Sequence, residues 1–354
     1  MIYWFLGIFN IKKVDRDPNS QTISQSSYSR IQMSSILQRL TPFARKIPGI
    51  KFIYHHSSTI NEIVSNRNYN KYKNLNPERY PQELKAQFKS ATGKPLNLEN
   101  PKTFDEKIQW MKLYDSTPLK TELADKYLVR AYVAEKIGDE YLIPLLGVWD
   151  AFNEIDFEKL PNQFVLKANH GSGWNIIVRD KSKFDKKDAK KLFEKWMKRN
   201  YAFQAGLELH YKDILPLIIA EEYIENGGGN LFDYKVHCFG GKAMYIQYIG
   251  DRATHTTREG WFDRDWKLMS FTDGCYPKYD SNIPKPNNLK ELLSLSEKLA
   301  LPFSYVRVDF YVLNDGSIKF GEMTFTPASG MHNWFSDGDM IPDEVDLMLG
   351  ELIP

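Results

Sequence analysis

The residues of this chain best suited to chemistry stand near its end. Arg307-Val308-Asp309-Phe310 is followed by Asp315-Gly316 and then by Gly321-Glu322-Met323-Thr324-Phe325-Thr326-Pro327-Ala328-Ser329-Gly330. A spacing of two puts Arg307 and Asp309 on one face of a strand, because side chains alternate across it. Residues 305 to 313 alternate and are rich in β-branched and aromatic types, Asp315-Gly316 signals a hairpin, and Ile318 to Met323 can return as the partner strand. Glu322 can then meet the other two across the ladder. One arginine and two carboxylates suit a phosphate and a divalent metal. Mg2+ takes one or two carboxylates plus phosphate oxygens, and a planar guanidinium matches an anionic transferring group. An exposed hairpin with a structural Arg–Asp pair is the plainer alternative for these residues alone.

Two further segments have the chemistry of nucleotide binding. Gln163 to Val178 reads as a strand, a glycine-rich turn and a second strand. Gly171 and Gly173 let backbone N–H groups converge on an anion, Ser172 adds a hydroxyl, and Lys167 would point toward the same phosphates. The turn is neither a Walker P-loop nor a Rossmann fingerprint. Most Gly-Ser-Gly turns only reverse the chain. Ile218 to Ile224 is an apolar strand ending in Glu221 and Glu222, followed by Asn226-Gly227-Gly228-Gly229-Asn230. Such an end can offer backbone groups to an adenine edge and a carboxylate to ribose, or it can carry ordinary solvated glutamates. Phe232 to Val236 then places Asp233 and Lys235 on one face, with Lys235 a candidate for terminal phosphate contact.

A framework must hold these residues in place. Thr103, with Glu106 three residues on, predicts a capping box at the start of a helix running through Leu113. A second helix is predicted over Glu122 to Ile137, stopping at Gly138, with Asp125-Lys126 on its first turns. From about residue 141 strands dominate: Leu142 to Val148, Phe164 to Ala168, Ile176 to Arg179, Leu217 to Ile224, Phe232 to Phe239, Ala243 to Ile249 and the hairpin from 305. Helices are expected near Lys186 to Arg199, Leu289 to Ala300 and Asp343 to Leu352. Mixed strands and helices with several antiparallel hairpins predict an α+β fold.

With 354 residues, 42% hydrophobic and 26% charged, the composition is that of a globular protein of two domains. A net charge of +2, with no basic run interleaved with aromatics, argues against nucleic acid as a partner. Cys238 and Cys275 lack metal-ligand spacing and read as reduced thiols. Met1 to Phe9 is apolar, yet a bilayer span needs about 20 residues. It lacks the flanks of a signal peptide, and the polar stretch that follows, to about Arg30, is expected to be disordered. Either residues 1 to 32 extend a functional protein that starts near Met33, or the nonapeptide touches a membrane surface. Ile36 to Tyr54, apolar and basic, could lie on an anionic membrane or pack on the body.

Several blocks in their order resemble the ATP-grasp superfamily, which includes the D-alanyl-D-alanine ligases. They are Asp125-Lys126, Lys167 with His170-Gly171-Ser172-Gly173, Glu221-Glu222-Tyr223-Ile224, Arg307-x-Asp309, and Glu322-x-Thr324-x-x-Pro327. The phrases NPKTFDEKIQW, LADKY, YLIPLLGVWD, LKANHGSGWN, FDYKVHCFGG and GEMTFTPASGMHNW are similar to its TupA-like branch, named after teichuronopeptide synthesis and associated with bacterial surface polysaccharides. The match runs from about residue 70 to the end. It implies two α+β subdomains clasping ATP: residues 141–225 with the glycine-rich lid and 226–354 with the metal site. These follow a mostly helical region at 36–140 and an extension at 1–35.

The resemblance further implies that Lys126 and Lys167 bind the α- and β-phosphates and that His170 to Gly173 form a mobile lid. Glu221 to Ile224 would hold adenine, with Asp233 or a nearby carboxylate for ribose. Asp309 and Glu322 would bind Mg2+, and Arg307 would stabilise an acyl phosphate. The family's E-x-N metal motif reads Glu322-x-Thr324 here, and a threonine hydroxyl is a weaker ligand than an Asn carbonyl. For substrates, Arg252 or Arg258 could clamp a carboxylate such as a hexuronate, His255 or His332 could assist proton transfer, and Trp334 lies in the same blocks.

The reading is therefore a cytoplasmic ATP-dependent carboxylate–amine ligase, at the inner face of the membrane if the N-terminal region touches it. Its partners would be ATP, an amino acid or amine, and a uronic-acid-containing sugar, nucleotide sugar or polysaccharide. A nucleotide-sugar glycosyltransferase is the alternative, since Asp263-Arg264-Asp265 and Asp337-Gly338-Asp339 are DxD triplets, although the first reads better as a hairpin turn. A sugar kinase would use the same ATP chemistry on another acceptor. No HRD or DFG motif supports a protein kinase.

Overall fold

The computed structural model describes residues 66–354, except 205, 228–230, 252–255, 280–282, 337–338 and 341–342. The apolar nonapeptide, Met33 and the segment Ile36 to Tyr54 lie outside the described residues, as do Arg252, His255 and most of the second DxD triplet. Two antiparallel sheets do the positioning. The first has the order β1-β4-β2-β3, from β1 (Leu145–Trp149), β2 (Phe164–Ala168), β3 (Asn175–Val178) and β4 (Ile218–Glu222). The second has the order β10-β9-β5-β6-β7, from β5 (Asp233–Phe239), β6 (Lys242–Gly250), β7 (Arg258–Asp263), β9 (Tyr305–Val312) and β10 (Ile318–Thr324). A small third sheet joins β8 (Phe271–Thr272), β11 (Phe335–Ser336) and β12 (Asp339–Met340). The fold is α+β, and no helix among the described residues is long and apolar enough to cross a membrane.

The α-helices around the sheets include α1 (Tyr80–Thr92), α2 (Phe104–Tyr114), α3 (Pro118–Ala124), α4 (Val129–Lys136), α5 (Lys186–Met197), α6 (Leu289–Ala300) and α7 (Glu344–Glu351). Along β2, Phe164, Leu166 and Ala168 are fully buried while Val165 and Lys167 are half-buried, so period-two alternation leaves Lys167 on the open face. Helix α5 packs on β2 through a face that buries Phe193 and Trp196. Helix α6 buries Leu292, Leu295 and Leu299 against β5, β6 and β9. It covers one face of the five-stranded sheet and leaves the Arg307 face to other partners.

The predicted helix over Glu122 to Ile137 is two helices, and Asp125-Lys126 lies in the break rather than on the first turns of one helix. Asp125 has extended backbone, and its Oδ1 accepts from the N–H groups of Tyr127 (2.7 Å) and Leu128 (3.2 Å), starting the chain afresh. Short acidic side chains compete with the helix ladder in this way. Asn169 secures the break, donating from Nδ2 to Asp125 Oδ2 at 2.8 Å. The capping box forms as expected: Thr103 Oγ1 accepts from Glu106 N at 3.2 Å and Glu106 Oε2 from Thr103 N at 3.2 Å. Asp263 closes its own turn, with Oδ1 accepting from Asp265 N (2.9 Å) and Lys267 N (2.8 Å), so the first DxD is a hairpin turn.

Strand β10 holds a bulge that the sequence reading does not contain. Phe320 pairs with Phe310, but Glu322 pairs with Asp309, so Gly321 is the extra residue. In regular alternation Glu322 would share the core face of Phe320; the inserted residue turns it to the face of Arg307 and Asp309. Gly321 suits the place because a Cβ there would stand 3.0 Å from the Asp309 carbonyl oxygen.

Helix α2 is buried on two stripes. Phe104, Ile108 and Met111 form one, and Asp105, Gln109 and Lys112 the other. Lys112 is fully buried and donates to Gln109 Oε1 at 3.2 Å; burial pushes its pKa down to about 8 against the pull of Glu208 and Asp105. Gln109 Nε2 in turn donates to the carbonyls of Ser329 (2.8 Å) and Gly330 (2.7 Å), where Ala328, Ser329 and Gly330 all have positive φ. Helix α7 crosses the start of α2 so closely that a Cβ on Gly350 would lie 2.2 Å from the Lys102 carbonyl oxygen.

Two outcomes follow from this packing. Gly350→Ala must push α7 away from α2, and thermal melting should show a loss of about 1–3 kcal/mol. Below pH 8 Lys112 is protonated in both states and its burial penalty is full. From pH 8 to the ordinary lysine range only the unfolded chain keeps the proton, so stability rises with pH. Denaturant melts of Lys112→Met should lack this alkaline gain, which amounts to about 3 kcal/mol in the wild type.

Candidate active site

A buried row of charge crosses three strands. Register places Lys235 of β5 and Glu322 of β10 on either side of Asp309 in β9, with Thr324 opposite Arg307. Arg307 grips Asp309 through two bonds, Nε to Oδ1 at 2.7 Å and Nη2 to Oδ2 at 2.8 Å. Lys235 Nζ donates to the same Oδ2 at 2.5 Å. Burial alone would raise the Asp309 pKa, but Arg307 and Lys235 outweigh it and hold the carboxyl down at about 2. The Arg307 pKa rises for the matching reason, with Asp309 and then Glu322 overcoming desolvation. Such a bidentate, hydrogen-bonded pair is the geometry in which buried charges can be kept.

Glu322 is the more open acid, with a third of its side chain exposed. Arg307 Nη2 reaches its Oε1 at 3.4 Å and Thr324 Oγ1 at 3.0 Å, while Thr324 Oγ1 lies 3.3 Å from the same Oε1. The Thr324 oxygen thus accepts from the guanidinium and donates to Glu322. In this arrangement its hydroxyl orients Arg307 and Glu322.

The first sheet meets this row through Lys126. Its N–H donates to the Asn169 carbonyl at 3.1 Å, its Nζ donates to the Gly171 carbonyl at 2.6 Å, and Nζ lies 3.9 Å from Glu322 Oε2. Burial lowers its pKa, with Glu322 pulling the other way. Lys167 forms an ion pair with Glu221 Oε2, and Arg130 Nη1 holds Oε1 of the same carboxylate at 3.1 Å. Arg130 escaped sequence reading because a lone arginine on a helix has no motif. Glu221 is therefore committed to two cations, whereas Glu222 is exposed.

Other expected residues fall as follows. His170 is buried and bonded on both ring nitrogens, Nδ1 with Asn169 Oδ1 (3.2 Å) and Nε2 with the Trp196 carbonyl (3.1 Å). It anchors the turn that Gly171, Ser172 and Gly173 form. A Cβ on Gly171 would stand 2.6 Å from the Trp174 ring, and Gly173 has φ 71°. Tyr223 and Ile224 lie beyond β4, where the Tyr223 hydroxyl accepts from Arg179 Nε at 3.1 Å and donates to Glu225 Oε2 at 2.7 Å. Asp233 is buried at the head of β5.

Among the substrate candidates, Arg258 opens β7. His332 is buried and tied to Asp105, with Nδ1 at 2.6 Å from Oδ1 and its N–H donating to Oδ2 at 2.7 Å. Trp334 is 1% exposed, stacked on His332 at 4.9 Å. Both join α2 to the body, so the proton-transfer role considered for His332 has no open face.

A family model described as TupA-like ATPgrasp matches residues 106–354. No curated protein matches the chain. Solved structures similar to it include the L-amino acid ligase from Bacillus licheniformis (15% identity, 63% of this chain and 49% of that one, TM-score 0.39). The N5-carboxyaminoimidazole synthetase from Staphylococcus aureus complexed with ADP is another (13%, 58% and 45%, TM-score 0.36). A biotin carboxylase complex from Campylobacter jejuni is a third (16%, 57% and 40%, TM-score 0.35). The chain spans less than half the length of these three. On the family match over residues 106–354, the chain belongs to the TupA-like ATP-grasp family.

Proposed function

We propose that this protein is an ATP-dependent carboxylate–amine ligase that joins an amino acid or related amine to a uronic acid carboxyl in bacterial surface polysaccharide synthesis. The observation that carries the reading is Lys126, which ties the glycine turn of one sheet to Glu322 in the charged row of the other. Lys126 from the helix break, with Lys235 and Arg307 from the five-stranded sheet, faces one carboxylate pair, an arrangement suited to a polyphosphate.

In this reading the acid's carboxylate attacks the γ-phosphate, the bond to ADP breaks, and an acyl phosphate forms. The amine then attacks the acyl carbon and inorganic phosphate leaves. Lys126 and Lys167 would hold the α- and β-phosphates, Lys235 the terminal phosphate, and Arg307 the charge that develops on it. The strand end from Glu221 to Ile224 would take adenine, and Glu222 or Asp233 the ribose. Asp309 and Glu322 face one another with hard oxygen atoms, and Asp309 stays ionised at any physiological pH, which fits Mg2+. Bound there, Mg2+ would neutralise phosphate charge. Arg307 and Lys235 would exchange part of their hold on Asp309 for phosphate oxygens, and the Gly171–Gly173 turn would exclude water.

The test is Mg2+-dependent ADP release with a panel of uronic acids, UDP-uronates and amino acids. Release should require both an acid and an amine, and hydroxylamine in place of the amine should yield a hydroxamate. Glu322→Gln and Lys167→Ala should each cut kcat/KM by about a hundredfold or more. No ATP binding or turnover with any pair would sink the ligase. UDP-sugar turnover indifferent to ATP would point to a glycosyltransferase, and ADP release without an amine or hydroxamate to a kinase.

A further inference from the structure

Charge is unevenly spread along this chain. Residues 181–199 hold nine basic residues and three acids, a net of +6 in a chain whose total is +2, so the remainder is net acidic. The segment is α5 with the turn before it and the two residues after it. Helix α5 turns Ala189, Phe193 and Trp196 inward, and a period of 3.6 then sets Lys187, Lys191 and Lys195 on the opposite side, with Lys198 continuing the row just past the helix end. All four lysines are exposed. They recur every three or four residues, one cation per helical turn, or about 6 Å along the axis. Asp188 pairs with Lys191 at 2.8 Å and Glu194 with Lys190 at 3.7 Å, exposed contacts too weak to cancel the excess.

The row has a beginning and an end. At its start Phe152, Ile155 and Phe157 floor a groove of about 380 Å3 whose rim is Lys186, Lys187 and Lys190. Lys186 Nζ lies 4.8 Å from the centre of the Phe157 ring and 3.9 Å from Glu158 Oε1. An apolar floor under a cationic rim accepts a ring whose faces are C–H and whose edge carries an acid. At the other end the Trp196 carbonyl holds His170 Nε2 at 3.1 Å, and the Trp196 ring stacks on Trp174 at 6.3 Å. The cations therefore stop beside the Gly171–Gly173 turn.

Resting on the proposed function for the sugar chemistry, we propose that the lysine face of α5 is the docking surface for a polyanionic saccharide chain, one that carries an acid on successive repeats. The acid substrate is then a polymer, because evenly spaced cations reinforce one another only when the acids that meet them are linked. Two other polyanions fit the face less well. A helix that lies in a membrane surface needs a free apolar side, and the apolar side of α5 is packed on β2. Single-stranded nucleic acid stacks on exposed rings, and Phe193 and Trp196 are both buried.

The experiment is calorimetric titration of the full chain, without ATP, with polygalacturonate, galacturonic acid, neutral dextran, phosphatidylglycerol vesicles and single-stranded DNA. Polygalacturonate should bind and should weaken about tenfold between about 50 and about 300 mM NaCl, while the monomer and dextran should not bind. The triple variant Lys187→Gln, Lys191→Gln, Lys195→Gln should melt at the wild-type temperature and lose about tenfold in affinity for the polymer. The double variant Lys290→Gln, Lys298→Gln on α6 should lose none. The proposal is overturned if polygalacturonate does not bind, if the triple variant binds it as the wild type does, if the α6 variant loses as much, or if vesicles or DNA bind more tightly through the same lysines. Because no ATP is present, a polymer that docks on a protein which never releases ADP would keep the surface and sink only the ligase.

Discussion

A guanidinium taken out of water must keep its carboxylate, and the Arg307–Asp309 pair imposes that condition on this molecule. Removing one partner of such a buried pair typically costs about 3–5 kcal/mol, because the survivor is left charged and unpaired. Lys235 has to arrive from β5, Glu322 from β10 and Thr324 beside it, all in fixed register, for the pair to be tolerated. The charged row is thus assembled by the fold itself. Electrostatic preorganisation of this kind needs little rearrangement at the moment of reaction.

The first sheet reaches that pair through Lys126, a residue in a helix break. Lys126 can reach both Gly171 and Glu322 because Asp125 stops α3 and lets the backbone swing out toward Asn169. Had residues 122–137 formed one helix, Lys126 would have pointed along the helix surface. The break spends helix hydrogen bonds on geometry, and Asn169 satisfies the groups it exposes.

Much of this was legible in the sequence, and the exceptions have physical causes. Alternation in 305–313, the Asp-Gly turn and the Thr103–Glu106 box are local signals, and local hydrogen bonds decide them. The open face of Lys167 follows from period two. The burial of Asp105, Gln109 and Lys112 was not legible, since periodicity cannot tell a polar face in water from one buried against α7 and the 328–330 turn. The anchoring of His170 and His332 was not legible, because their partners, a carbonyl from α5 and a carboxylate 227 residues away, are invisible in sequence.

The bulge at Gly321 bears on how this hairpin can change over time. Strand β10 carries a core message up to Phe320 and a chemical message from Glu322, and one supernumerary glycine sets the phase between them. The turn at Asp315-Gly316 lies outside that phase, so it can lengthen or shorten without disturbing either message. Between Phe320 and Glu322, by contrast, length is counted in parity: a change of one residue exchanges the inner and outer faces of everything after it, while a change of two restores them. Homologous hairpins should therefore vary freely at the tip and keep an odd-even rule at the bulge.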